Sequence, residues 1–75
     1  MNTYKNLEGN SGITRYEPGI DRIVVEFNHD NKYLYTYKSA GKSVVEKMKR
    51  LASAGRGLST YISRTVREHF ERKLE

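Results

Sequence analysis

The stretch Tyr33-Leu34-Tyr35-Thr36-Tyr37 constrains this chain more than any other. It places three of the six tyrosines at every second position. A strand alternates its side chains between two faces, so the spacing predicts three rings on one side of a sheet. Everything before this stretch reads as strand, and everything after Lys38 reads as helix. The rings have two possible uses. They can floor a small core, or they can form an exposed platform on which bases stack. The core reading is favoured for Tyr35 and Tyr37, because the opposite face of the strand, Leu34 and Thr36, offers too little to hold two helices.

Upstream, Arg22 to Asn28 alternates, with Ile23, Val25 and Phe27 on one face and Arg22, Val24 and Glu26 on the other. The polar run Asn28-His29-Asp30-Asn31 is a hairpin loop. A loop with an odd number of residues, three or five, puts the Ile23-Val25-Phe27 face on the side of the tyrosines. An even loop would build two mixed faces, so the odd one is expected. Ser11 to Glu17 is expected as an earlier strand. Its apolar residues, Ile13 and Tyr16, are three apart, which implies a bulge. Pro18-Gly19 supplies the turn that follows.

Downstream, Lys38 to Lys42 reads as a loop, and Ser43-Val44-Val45-Glu46 fits a capping box. Val44, Val45, Met48, Leu51 and Ala52 then recur as one helical stripe, ending at Gly55. A second helix is expected with Ser59 as N-cap and Leu58, Tyr61, Ile62, Val66 and Phe70 inward. Its outer face would carry Arg64, Arg67, Glu68, Glu71 and Arg72, with Glu68–Arg72 and Arg67–Glu71 as i,i+4 pairs. The expected fold class is α+β: a three-stranded antiparallel sheet followed by two helices packed on one face, β-β-β-α-α. Residues 1–10, without periodicity, read as a flexible tail and 11–73 as the single domain. Leu74-Glu75 reads as a cloning remnant.

A chain of 75 residues without cysteine can hold neither disulfides nor a thiolate metal site. That composition suits a reducing cytoplasm, which is the expected location. No apolar run approaches membrane-spanning length and no signal peptide is visible, so no membrane partner is expected. The charge is lopsided. Residues 1–37 carry four Lys/Arg against five acids, whereas residues 38–75 carry ten against four, giving the chain its net +5. A basic helical half is the electrostatic footprint of a phosphate-binding partner, although solvated helix faces also use lysine and arginine freely.

Gly55-Arg56-Gly57 precedes the second helix, where free N–H groups favour an anion, and Arg56 between two glycines can reach a phosphate. A tight corner that needs glycine for its backbone angles is the favoured reading of the same residues, and both can hold together. Lys47, Lys49, Arg50, Arg64 and Arg67 extend this into a candidate basic stripe. The two histidines, His29 and His69, lie forty residues apart in sequence and no catalytic or metal-ligand spacing accompanies them. No enzymatic activity, metal or cofactor is expected.

The order of landmarks resembles a known family. Ser11-Gly12-Ile13, Ile23-Val24-Val25-Glu26-Phe27, Tyr35-Thr36-Tyr37, Ser53-Ala54-Gly55-Arg56-Gly57 and Tyr61-Ile62 are similar, in order and spacing, to the KTSC domain. That domain is named for the C-terminus of some lysyl-tRNA synthetases and also occurs as short stand-alone bacterial proteins. The resemblance spans residues 11–70. It departs in a longer hairpin before Tyr35, in the extra Tyr33 and in the lack of proline after Tyr37. It implies the same β-β-β-α-α fold and, through the attachment to a synthetase, RNA binding. The expectation is a small basic binding module for RNA, either tRNA or single-stranded. The alternative is a protein-interaction domain that docks on an acidic partner. A three-stranded sheet would have two free edges, so a monomer or a weak dimer is expected.

Overall fold

In the computed structural model, which describes residues 1–9 and 11–74, the chain is α+β with one antiparallel sheet. The sheet has five strands rather than three: β1 (Asn2–Thr3), β2 (Ile13–Pro18), β3 (Arg22–Phe27), β4 (Asn31–Thr36) and β5 (Arg72–Leu74), paired in chain order. The helical layer consists of α1 (Tyr37–Ala40), α2 (Lys42–Ala54) and α3 (Leu58–Tyr61), the last running straight into a π-helical turn, Ile62–Val66.

The central hairpin follows from its alternation. Asn28 and His29 take positive φ, and Asp30 N–H closes the turn on the Phe27 carbonyl. The loop therefore has three residues, and β3 and β4 pair Val25 with Tyr33 and Ile23 with Tyr35. The odd loop keeps the apolar residues of both strands on one face. The bulge expected in β2 is present between Ile13 and Arg15, and it lets both Ile13 and Tyr16 face the core. On that face Ile13, Tyr16, Ile23, Val25 and Tyr35 meet Val45, Met48 and Ala52 of α2, then Leu58, Ile62 and Val66.

Tyr37 is not in the sheet. The strand ends at Thr36, whose hydroxyl accepts from Ser39 N–H at 3.0 Å while Ser39 Oγ accepts from Thr36 N–H at 3.1 Å. This reciprocal cap starts a one-turn helix where a loop was expected. The box expected at Ser43 and Glu46 does not form. Helix α2 begins two residues earlier, at Lys42 behind Gly41, with no side-chain cap, and Glu46 is engaged elsewhere. At its other end α2 stops as expected, with Gly55 at φ 78° and ψ 22° and its N–H on the Ala52 and Leu51 carbonyls.

Further expectations are corrected. Residues 1–9 are not a tail: Asn2–Thr3 pairs with β2, Tyr4 is 4% exposed, and Leu7 N–H donates to the Gly55 carbonyl at 2.7 Å. Asn10, the last residue of the expected tail, lies outside the described residues. Tyr4 carries enough apolar area to make docking favourable, although the residues around it are polar.

The second helix ends at Val66 rather than near Arg72. Ser59 is inside α3 and its N-cap is Gly57. Beyond Arg67, at φ 51°, the chain turns back, so the Glu68–Arg72 and Arg67–Glu71 helical pairs do not exist. The helical preference of this segment is worth tenths of a kcal/mol per residue. It yields to tertiary gains. Phe70 packs at 4.7 Å from Tyr33 and 6.1 Å from Tyr35, Glu71 N–H donates to the Leu34 carbonyl, and β5 covers the β4 edge. Leu74, assigned to a remnant, is part of that strand, and Glu75 lies outside the described residues. The sheet edges are thus β1 and β5, of two and three residues, too short to template much pairing.

On the face of the sheet away from the helices, Leu34 and Thr36 offer little apolar surface, yet both are buried. Leu34 sits between Val24 and Arg72, and beside it Glu26 is 1% exposed. Arg15 reaches that carboxylate with two bonds, Nε to Oε1 at 2.8 Å and Nη2 to Oε2 at 2.7 Å, and the bulged Thr14 hydroxyl donates a third at 2.9 Å. The guanidinium and hydroxyl hold the Glu26 carboxyl down at about 2, against burial that opposes ionisation.

Candidate nucleic-acid interface

The α2–α3 corner brings two of the six candidate cations, Lys47 and Arg64, to one groove. Gly55 and Gly57 both have φ 78°, which lets the chain reverse within three residues. Between the helices this leaves an open groove of about 380 Å³. Lys47 and Leu51 line it from α2, and Tyr61 and Arg64 line it from α3 and the π-helical turn. Glu8 and Gly57 close the corner end. The Lys47 ammonium lies 5.1 Å from the centre of the Tyr61 ring. At an exposed site such a contact is worth only about 0.5–1 kcal/mol, so Lys47 is readily displaced.

The other expected residues fall in different places. Arg50 and Arg56 are exposed but do not line the groove. Arg67 is exposed beyond the π-helical turn, its Nε 3.5 Å from the Arg64 carbonyl. Lys49 is committed internally. It is 19% exposed, donates to Glu46 Oε2 at 2.8 Å and to the Ile20 carbonyl at 2.9 Å, and lies 5.8 Å from the Tyr37 ring. Tyr37 donates its hydroxyl to the same Glu46 oxygen. The Lys49 ammonium and the Tyr37 hydroxyl lower the Glu46 pKa, and the carboxylate in turn raises that of Tyr37. This cluster ties α1, α2 and the β2–β3 turn together.

The anion position read from Gly55-Arg56-Gly57 is already filled from within. Gly57 N–H donates to Glu8 Oε1 at 3.2 Å, and Leu58 N–H donates to the Tyr4 hydroxyl at 3.4 Å. The glycines therefore serve the corner, and Arg56 projects from it into solvent.

The tyrosine row is not a platform. Tyr35 is 2% exposed, and burial with the neighbouring Tyr33 pushes its hydroxyl up to about 12. Tyr33 is half-buried, edged by Phe27 and Phe70 with Lys73 Nζ 6.0 Å from its ring. Tyr61, read from sequence only as part of an apolar stripe, is the ring that reaches a basic groove. Nothing local marks it, because its partners come from another helix and from the N-terminal segment. Among the described residues no three His, Cys, Asp or Glu side chains converge as metal ligands, and no helix is long and apolar enough to cross a membrane.

Compared with protein-family models, curated proteins and solved structures, the chain finds no match. The resemblance to the KTSC domain therefore rests on the quoted residues and their order.

Proposed function

We propose that the protein is a small non-enzymatic binding module whose helical layer contacts the phosphates of RNA. The observation that carries this reading is the charge of that layer. From Tyr37 to Arg67 it holds eight Lys/Arg against the single acid Glu46, a net of +7. That acid is already bonded to Lys49 and Tyr37, so within this span it does not offset the outer cations. The remainder of the chain is slightly acidic, so the positive field is one-sided and orients an approaching polyanion.

Lys47, Arg50, Arg56 and Arg64 are the contacts of this reading, with Lys49 excluded by its internal bonds. Contacts of this kind position a strand without reading its sequence. The test is the salt dependence of binding to a short single-stranded RNA and to a tRNA. Four phosphate contacts on a single strand predict a slope of log K against log salt of about −3. A flat salt dependence, or no binding at low salt, refutes the proposal. Salt-resistant affinity for an acidic protein would favour the interaction-domain alternative.

A further inference from the structure

We infer that the groove between α2 and α3 is a subsite for one nucleotide of a single strand, its base stacked on Tyr61. The inference rests on the phosphate-binding reading of the helical layer and adds a base to it. Two features of the groove are unnecessary for phosphate alone. Its lining is mostly apolar and includes Leu51 and Tyr61, and its volume of about 380 Å³ lies within the range of sites for small organic ligands.

Two cations share the groove with the ring. Lys47 comes from α2 and Arg64 from the position three residues after Tyr61. The Lys47 ammonium now occupies the ring face, 5.1 Å from its centre, on a flexible stem. A base that takes its place gains more from stacking than that exposed contact supplies. The freed ammonium then pairs with a phosphate on its side of the ring, and Arg64 takes the other. At the corner end the Glu8 carboxylate, held by Gly57 N–H, repels phosphate and limits the strand to the open end. A duplex cannot use the groove, because its bases are stacked on one another.

The experiment compares two polyanions with the full chain: a short single-stranded RNA and inorganic polyphosphate of matched charge. Aromatic NMR follows the Tyr61 ring protons, which should move upfield in saturating RNA, the ring-current shift of a stacked base, and show no upfield shift with polyphosphate. Tyr61→Leu keeps an apolar side chain at the half-buried position. It should weaken RNA binding about 5- to 100-fold, the loss of one stacked base, and leave polyphosphate affinity unchanged. Tyr61 resonances that do not move upfield in saturating RNA overturn the subsite, and so does equal weakening toward both polyanions. In those cases the basic layer still binds phosphate. If the chain binds neither polyanion at low salt, the subsite and the function it rests on both fall.

Discussion

Replacing Tyr4 by alanine should remove a large part of the stability of this domain. A domain of 75 residues has about 4–11 kcal/mol of stability in total. Tyr4 is 4% exposed, packs in the main core and holds the first residues against the α2–α3 corner. Truncating a buried aromatic side chain costs about 3–5 kcal/mol, through lost transfer energy and the cavity left behind. Tyr4→Phe keeps the ring and removes only the acceptor for Leu58 N–H. That bond is long, 3.4 Å, so the loss should be near the lower end of about 0.5–1.5 kcal/mol. Urea unfolding followed by far-UV circular dichroism separates the two variants. With a slope of about 1 kcal/mol/M for a protein this small, Tyr4→Ala should lower the midpoint by about 3 M or more, and Tyr4→Phe by about 0.5–1 M. A Tyr4→Ala midpoint within about 0.5 M of the parent would show that the N-terminal segment is not part of the core.

Other predictions concern charge and backbone. Glu26 has a folded pKa of about 2 against an ordinary 4.5, so its contribution is present above 4.5 and is lost as pH falls toward 2. Urea melts across that window should show a shallower pH dependence for Glu26→Gln, and an unchanged slope would refute the role of Arg15 and Thr14. At Gly55 a Cβ would meet Lys5 Cβ at 2.7 Å, whereas at Gly9, with φ 79° and nothing within 4 Å, it would meet nothing. Both Gly→Ala changes carry a backbone cost of about 1 kcal/mol, and Gly55→Ala should lose clearly more because Lys5 must move. Equal thermal shifts would mean that Lys5 does not pack on the corner. Lys47→Met should reduce the salt slope of RNA binding by about 0.7, one phosphate contact, and Lys49→Met should leave the slope intact while lowering the melting temperature. The reverse pattern would mean that the roles of these two lysines have been exchanged.

Much of this architecture was legible because it is local. The alternation of Ile23, Val25 and Phe27, the odd hairpin, the bulge between Ile13 and Tyr16 and the Gly55 stop each follow from a few neighbouring residues. Two misread segments share another property: their conformation is set by a partner far along the chain. The N-terminal residues have little periodicity, yet one buried ring and a backbone bond to Gly55 dock them. The segment after Val66 has helical composition, but Phe70 finds the tyrosines and the β4 edge accepts a strand. The cap at Thr36 and Ser39 was missed because serine stands where glutamate or glutamine is usual.

Residue order alone set the α+β class, the central hairpin, a helix that stops at Gly55 and a basic half carrying most of the positive charge. Periodicity and charge are properties of residues read in order, and they survive any arrangement of the elements. Tertiary structure alone decided which cations are free. Lys47 and Lys49 are two residues apart, and their faces of α2 differ by about 200°. One faces α3 and an aromatic ring, and the other faces a carboxylate and a turn carbonyl. It also decided that Tyr61, rather than the row at Tyr33 to Tyr37, is the ring beside a basic groove. That follows from the corner at Gly55 and Gly57, which sets one helix against the next.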